Sequence, residues 1–178
     1  LALFKGQELK DVFYSIDKFD EFLYRRRVKK VIISKTGANS LIEDTLNNRK
    51  ISYVLLSHKL NFPITIQYKT PHTLGADRIA GSVEAASLFP GKNVLKIDFG
   101  TCVTYDFINA DAEYLGGAIS PGLMMRFKAL NNFTANLPLI DPLQHHNFDL
   151  IGNDTISSIL SGVMNGMIAE IDGIISSY

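Results

Sequence analysis

Apolar and polar positions change their spacing repeatedly along the chain, and the changes predict short strands interleaved with helices. Residues 31–34 form a short run with three β-branched apolar residues, which is typical of a buried strand. Residues 76–88 repeat apolar positions at helical spacing, and Phe89-Pro90-Gly91 would end that helix. Three strands separated by turns follow and predict an antiparallel meander: residues 94–97, 103–108 and 114–119.

The rest of the pattern continues the alternation. Further strands are predicted at residues 1–4, 8–14, 52–56 and 63–68. Further helices are predicted at residues 17–27 with Asp17 as cap, at 40–48, from Pro121-Gly122 onward, and from a cap at Asp154 or Thr155 to the end. This alternation predicts an α/β fold in which helices cover the faces of sheets.

We expect two lobes, residues 1–91 and 92–178. The chain begins inside a predicted strand at Leu1, and its last helix is still apolar on one side at Tyr178. Both lobes are therefore expected to be incomplete.

Composition limits the classes of function. The 178 residues carry 18 basic and 18 acidic side chains, so the bulk charge offers no footprint for nucleic acid or an anionic membrane. No apolar run in the sequence reaches the roughly 20 residues expected of a membrane span. The single Cys102 cannot form an internal disulfide, which favours a reducing compartment and a cytoplasmic location.

The first candidate site is the turn Gly75-Ala76-Asp77-Arg78 at the start of a predicted helix. One interpretation is structural, since a carboxylate in the first turn of a helix interacts favourably with the helix dipole. The other is catalytic. Asp77 would accept a hydroxyl proton during phosphoryl transfer, and Arg78 would bind an anionic group of the substrate.

The second candidate site is Asp98-Phe-Gly-Thr101, at the end of an apolar strand. It is compatible with an ordinary hairpin turn. It is equally compatible with a cradle in which the carboxylate holds a cation and the hydroxyl and open backbone approach a phosphate.

Three further features each have a structural and a functional interpretation. The glycine-rich segment 116–122 is either a packed strand leading to a helix or a loop whose helix N-terminus faces an anion. Thr155 is either a helix cap or a ligand contact, and Tyr68 is either a packing residue or a ligand contact.

Together these motifs resemble the type III pantothenate kinases, which belong to the acetate kinase and actin superfamily. Four motifs carry the resemblance, in this order: Gly-Ala-Asp-Arg at 75–78, Asp-x-Gly-Thr-x-x-Thr-x-Asp at 98–106, Gly-Gly-x-Ile-x-Pro-Gly at 116–122 and Gly-Asn-x-Thr at 152–155. The resemblance implies a two-lobed actin-like, ribonuclease H-like ATPase fold. It also implies ATP-dependent phosphorylation of pantothenate to 4′-phosphopantothenate, the first step of coenzyme A synthesis.

The resemblance also implies roles for individual residues. Asp77 would be the base, Asp98 the ligand of a monovalent cation (K⁺ or NH₄⁺), and Thr101 an ATP contact, with Mg²⁺ accompanying ATP. Pantothenate would contact Tyr68, Gly75, Ala76, Asp77, Arg78 and Thr155. A homodimer is implied, because the partner subunit completes the pantothenate pocket in this family.

The chain departs from the family pattern at both ends. It lacks the Asp-x-Gly-Asn-Thr phosphate loop with which the family opens, and the strand and glycine-rich turn that follow the family's last helix. The sequence therefore predicts a partial chain that binds ATP poorly and turns over slowly or not at all. Two alternatives remain, namely a superfamily kinase or phosphatase acting on another small substrate, and a catalytically silent relative with a binding or regulatory role.

Overall fold

A computed structural model describes residues 2–6, 8–12, 19–34, 40–145 and 148–178 of the chain. They form two compact units, Leu1–Ser57 and His58–Tyr178. Both units mix helices with strands, so the α/β class predicted from the sequence is confirmed.

The first unit contains two pairs of strands and two helices. Strands β1 (Ala2–Lys5) and β2 (Glu8–Val12) form an antiparallel hairpin. Strands β3 (Lys30–Ile33) and β4 (Ser52–Leu55) are parallel, and a helix lies in the crossover connection that such a pair needs. Helices α1 (Phe19–Arg26) and α2 (Leu41–Asn48) flank β3 in the chain, and the predicted cap Asp17 lies outside the described residues.

A small apolar core holds this unit together. Phe19 and Leu23 of α1 are buried with Ile33 of β3 and Leu46 of α2. The helical spacing of Phe19 and Leu23 explains why α1 buries one face, because residues four apart lie on the same side of a helix.

The second unit is built on a four-stranded sheet in the order β5-β8-β7-β6. Its strands are β5 (Thr65–Ile66), β6 (Val94–Phe99), β7 (Cys102–Ile108) and β8 (Glu113–Pro121). The last three are antiparallel neighbours, which confirms the predicted meander. β5 adds to β8 in the parallel direction and is shorter than the predicted strand at residues 63–68.

Helices cover both faces of this sheet. Helix α3 (Ala76–Leu88) contacts β6 and β7 on the face that carries Asp106. Strand side chains alternate between faces, so Tyr105 points to the opposite side, where its hydroxyl donates to Glu170 of helix α5 (Thr155–Ser177) at 3.0 Å. Helix α4 (Leu123–Asn132) packs against α5.

The start of α5 settles which residue caps it. The Asp154 carboxylate accepts the Ser157 backbone N–H at 2.8 Å, and the Ser157 hydroxyl accepts the Asp154 N–H in return. This capping box makes Asp154 the cap and leaves Thr155 as the first helical residue.

The compact units divide the chain at another point than the expected lobes, whose boundary after Gly91 stays a prediction. The observed division falls between Ser57 and His58. The physical reason is that β5 is hydrogen-bonded to β8 and that α3 packs on β6 and β7, which joins residues before Gly91 to the sheet that follows it.

Helix α5 is long and apolar enough to span a membrane when judged by length and composition alone, although the sequence has no uninterrupted apolar run of that length. Core helices of soluble proteins pass the same test. Here the helix carries Glu170, which is ion-paired with Arg126 of α4 and hydrogen-bonded to the sheet through Tyr105.

The environment of Glu170 makes the stability of this unit depend on pH. Burial alone would raise the pKa of Glu170, but hydrogen bonds from Arg126, Ser120 and Tyr105 outweigh it and lower the pKa below its ordinary value of 4.5. A carboxylate with a lowered pKa stabilises the fold above its unfolded pKa, and this contribution is lost as the pH falls through the folded pKa.

We therefore expect Glu170→Gln to destabilise the chain at neutral pH and to lose its difference from the wild type as the pH falls below 4.5. Urea denaturation at a series of pH values measures this difference. Tyr105→Phe removes one of the three donors and should give a smaller effect of the same sign. A difference that is constant from pH 7 to pH 3 would contradict the assignment.

Candidate active site

The Gly75–Arg78 turn forms the N-terminus of α3, as the sequence predicts. Gly75 is the N-cap, and its carbonyl accepts the Ile79 N–H at 3.1 Å. A Cβ atom on Gly75 would collide with the Asp77 carboxylate, so the glycine leaves room for that side chain to fold back over the helix start. Asp77 is exposed there, within reach of a ligand.

The next side chain, Arg78, points in the opposite sense and is buried. Its Nε donates to Asp106 Oδ1 at 2.7 Å, and its Nη2 donates to the Tyr105 carbonyl at 3.3 Å. Asp106 has no exposed surface. Burial alone would lower the pKa of Arg78, but the charge of Asp106 outweighs it, so the pKa of Arg78 is raised. The guanidinium stays charged and ties α3 to β7.

Two more donors converge on Asp106. The Tyr114 hydroxyl donates to Oδ1 at 2.9 Å, and Lys96 Nζ donates to Oδ2 at 3.0 Å. Burial and then the charge of Asp106 raise the pKa of Tyr114, so its phenol stays protonated as a donor. Both carboxylate oxygens of Asp106 are thus satisfied inside the unit.

Lys96 reaches Asp106 by crossing over α3 at Gly81. A Cβ atom on Gly81 would lie 2.8 Å from Lys96 Nζ and 2.9 Å from its Cδ, so the glycine leaves the lysine this path without a shift of its stem. Lys96 Nζ also lies 3.9 Å from Asp98 Oδ2. Asp98 is two residues after Lys96 in β6, so both side chains lie on the same face of the sheet. Asp98 itself has a side chain that is 55% exposed.

Tyr68 joins the same face of the sheet. The centroid of its ring lies 6.0 Å from the centroid of the Tyr114 ring. The ring also packs over Gly116, where a Cβ atom would lie 3.6 Å from Tyr68 Cδ2. Gly116 has φ +120°, a backbone conformation that residues with a side chain rarely adopt. It lies where the pairing of β7 with β8 shifts its register. The structure therefore brings Tyr68 to the α3 face that carries Arg78.

The turn between β6 and β7 packs against the start of α4. Gly122, the N-cap of α4, donates its N–H to the Thr101 carbonyl at 3.1 Å, and a Cβ there would collide with the Gly100 and Thr101 carbonyls. Thr101 is exposed. The segment 116–122 is therefore a packed strand ending in a helix cap, and the cap fixes the turn that carries Thr101.

Thr155 lies elsewhere, in a groove between α4 and α5. This groove has a volume of about 900 Å³ and is mostly apolar. It includes Leu130 of α4 and Phe133, the residue that caps the C-terminus of α4, with Ile159 and Val163 of α5. The structure thus brings Tyr68, Gly75, Ala76, Asp77 and Arg78 together around the α3 face and places Thr155 beside helices that cover the other face.

Sequence reasoning missed two members of the site, Lys96 and Tyr114. A lysine inside the otherwise apolar run Val94–Phe99 was the available signal, because a buried lysine needs an acidic partner. The register supplies that partner, since Lys96 pairs directly with Asp106. Tyr114 gave no comparable signal, because an aromatic residue at a strand start is ordinary.

Comparison with known proteins gives a consistent result. The model of the family described as type III pantothenate kinase matches residues 14–177. The chain is 48% identical over 185 residues to a type III pantothenate kinase of Christiangramia forsetii and 43% identical over 181 residues to one of Phocaeicola vulgatus. A third, from Flavobacterium johnsoniae, is 38% identical over 187 residues. Each comparison covers 99% of this chain and 74% of the relative.

The buried charge of Asp106 leads to a prediction about stability. Asp106→Ala leaves Arg78 and Lys96 without their shared carboxylate, so we expect it to lower the free energy of unfolding by about 3–5 kcal/mol. Urea denaturation followed by circular dichroism measures the change. Asp98→Ala is the matched control on the neighbouring strand, and its exposed side chain should cost far less. Equal losses in the two variants would show that the buried network does not stabilise α3 on the sheet.

Proposed function

The chain belongs to the type III pantothenate kinases, and from this premise we propose how its residues act. The chain catalyses ATP-dependent phosphorylation of pantothenate in coenzyme A synthesis, and its mixed α/β structure is consistent with the actin-like ATPase fold of that family. The observation that carries the proposal is the exposed Asp77 at the N-terminus of α3, on a helix anchored one residue later by Arg78 and Asp106.

Asp77 acts as the general base. Its carboxylate takes the proton of the pantothenate hydroxyl as the hydroxyl oxygen attacks the γ-phosphorus of ATP, and the bond to the bridging oxygen of ADP breaks. Two features support this role. The carboxylate folds over Gly75 at the exposed helix start, and the buried Arg78–Asp106 pair holds that first turn in position.

The turn around Asp77 binds pantothenate. Gly75 and Ala76 present backbone, and Tyr68 flanks the same face of the sheet. Arg78 already gives two of its N–H groups to Asp106 and Tyr105, so we assign it mainly to positioning. An anionic group of pantothenate would meet the remaining N–H groups of its guanidinium.

The family implies ATP and a divalent metal, and we assign the specific cations. Mg²⁺ accompanies ATP and neutralises its phosphates. A monovalent cation, K⁺ or NH₄⁺, is held at Asp98 with backbone carbonyls or water, and Thr101 on the adjoining turn contacts ATP. The half-exposed Asp98 carboxylate fits such a weak site. Among the described residues, no group of three or more His, Cys, Asp or Glu side chains is placed to hold a metal ion.

The surface of α4 and α5 supports a homodimer. Phe133 is 88% exposed beside the apolar groove, and Ile156 and Ile168 of α5 are also exposed. Exposed apolar patches of this kind mark protein interfaces. Thr155 lies in this groove rather than with Asp77, so we propose that it serves the pantothenate pocket of the partner subunit. ATP as substrate and the single cysteine are in keeping with a cytoplasmic protein.

The decisive test of function is Asp77→Asn in the full-length product of the gene that encodes this chain. We expect pantothenate-dependent ADP release, measured by a coupled assay, to fall about 10²–10⁴-fold, because the amide cannot take the proton. Glu84→Gln, an exposed change further along α3, is the control and should retain the wild-type rate. Equal rates for the wild type and Asp77→Asn would show that Asp77 is not the base. No turnover in the wild type would instead favour the alternative of a catalytically silent relative.

The dimer is tested separately by sedimentation velocity. Phe133→Glu places a charge in the proposed interface, so we expect the dimer to dissociate at concentrations where the wild type is associated. Tyr24→Glu, at an exposed aromatic position of the first unit, should leave the association unchanged. A wild type that is monomeric throughout would contradict the proposal.

A further inference from the structure

The proposed reaction does not use Lys96, although the position of this cation in the α3 network is closely constrained. Its side chain is 18% exposed, and its stem crosses α3 at Gly81, where the absence of a Cβ atom leaves it room. The ammonium ends between two carboxylates, 3.0 Å from Asp106 Oδ2 and 3.9 Å from Asp98 Oδ2.

The charges of this network are already balanced. Arg78 and Tyr114 occupy Asp106 Oδ1, and Lys96 occupies Oδ2. Asp106 therefore has a cationic donor on each oxygen, and the two cations exceed its single negative charge by one. Asp98 supplies the second negative charge, so the four side chains Arg78, Lys96, Asp98 and Asp106 sum to zero.

We propose that Lys96 is a built-in competitor for the monovalent-cation site at Asp98, and that it sets how much K⁺ the enzyme needs. The carboxylate that would bind the ion has a fixed ammonium close to one of its oxygens. A cation arriving at Asp98 must displace this ammonium or bind beside it, and both lower the affinity for the ion. Lys96 is thus a positioning residue that acts on the reaction through Asp98.

The contacts of Lys96 also explain why the competition is incomplete. Its hydrogen bond is to Asp106, while its distance to Asp98 exceeds that of a hydrogen bond. The ammonium can therefore keep its bond to Asp106 when an ion binds on the exposed side of Asp98. The expected result is a weakened ion site rather than an abolished one.

This inference rests on the proposed role of Asp98, and its test uses two readouts. The first is the K⁺ concentration at half-maximal pantothenate-dependent turnover, with choline chloride keeping the ionic strength constant. The second needs no turnover, and is the shift of the thermal unfolding midpoint caused by KCl relative to choline chloride. We expect Lys96→Gln, which keeps a donor for Asp106 without the charge, to lower the half-saturating K⁺ concentration about tenfold in both readouts.

Two control variants make the result specific. Lys92→Gln removes a charge from the exposed turn before β6 and should leave the half-saturating K⁺ concentration unchanged. Lys96→Arg keeps the charge and should remain within about twofold of the wild type. If Lys96→Gln does not fold, the wild type provides the test through the ¹³Cε resonance of Lys96. We expect this resonance to shift during a K⁺ titration and that of Lys92 to stay unchanged.

Each outcome separates this inference from the proposed function. Turnover with the same half-saturating K⁺ concentration in Lys96→Gln and wild type would overturn the role of Lys96 and leave the kinase intact. An unchanged Lys96 resonance during a K⁺ titration that activates the enzyme would also overturn the role of Lys96 and leave the kinase intact. A wild type without pantothenate-dependent turnover would instead overturn the proposed function itself.

Discussion

The negative charge of Asp106 lies inside the second unit with no exposed surface, and much of that unit is arranged to neutralise it. Arg78 reaches it from α3, Lys96 from β6 and Tyr114 from β8. A carboxylate taken out of water is costly unless charged donors surround it, so these three elements cannot separate without exposing an unpaired charge. The network fixes the helix whose first turn carries Asp77.

In this arrangement, two adjacent residues in the first turn of α3 have different roles. Asp77 is exposed and able to meet a substrate, while Arg78 is buried and holds the turn on the sheet. Successive helical side chains point about 100° apart, so two adjacent residues can face solvent and core. A base placed on a rigid element keeps its orientation, which is what proton transfer in a defined geometry requires.

Most of the elements could be predicted from the sequence, because their apolar spacing is regular. α3 was expected at residues 76–88 and spans Ala76–Leu88, and the meander of β6, β7 and β8 follows from three apolar runs with turns between them. The pairing of β5 with β8 could not be predicted, because a strand of two residues has no sequence pattern that indicates which distant strand it pairs with. The same limit hid the contact of Lys96 with Asp106, which depends on register across a turn rather than on local spacing.

The crossing of Lys96 over Gly81 has a consequence for how this sequence can change over time. A side chain at position 81 and a long side chain at position 96 compete for one volume, so neither position can vary without regard to the other. A relative that lacks the lysine can carry a side chain at position 81 without this conflict, whereas a relative that keeps the lysine must move the lysine stem aside. The two positions, fifteen residues apart, are therefore expected to covary among homologues.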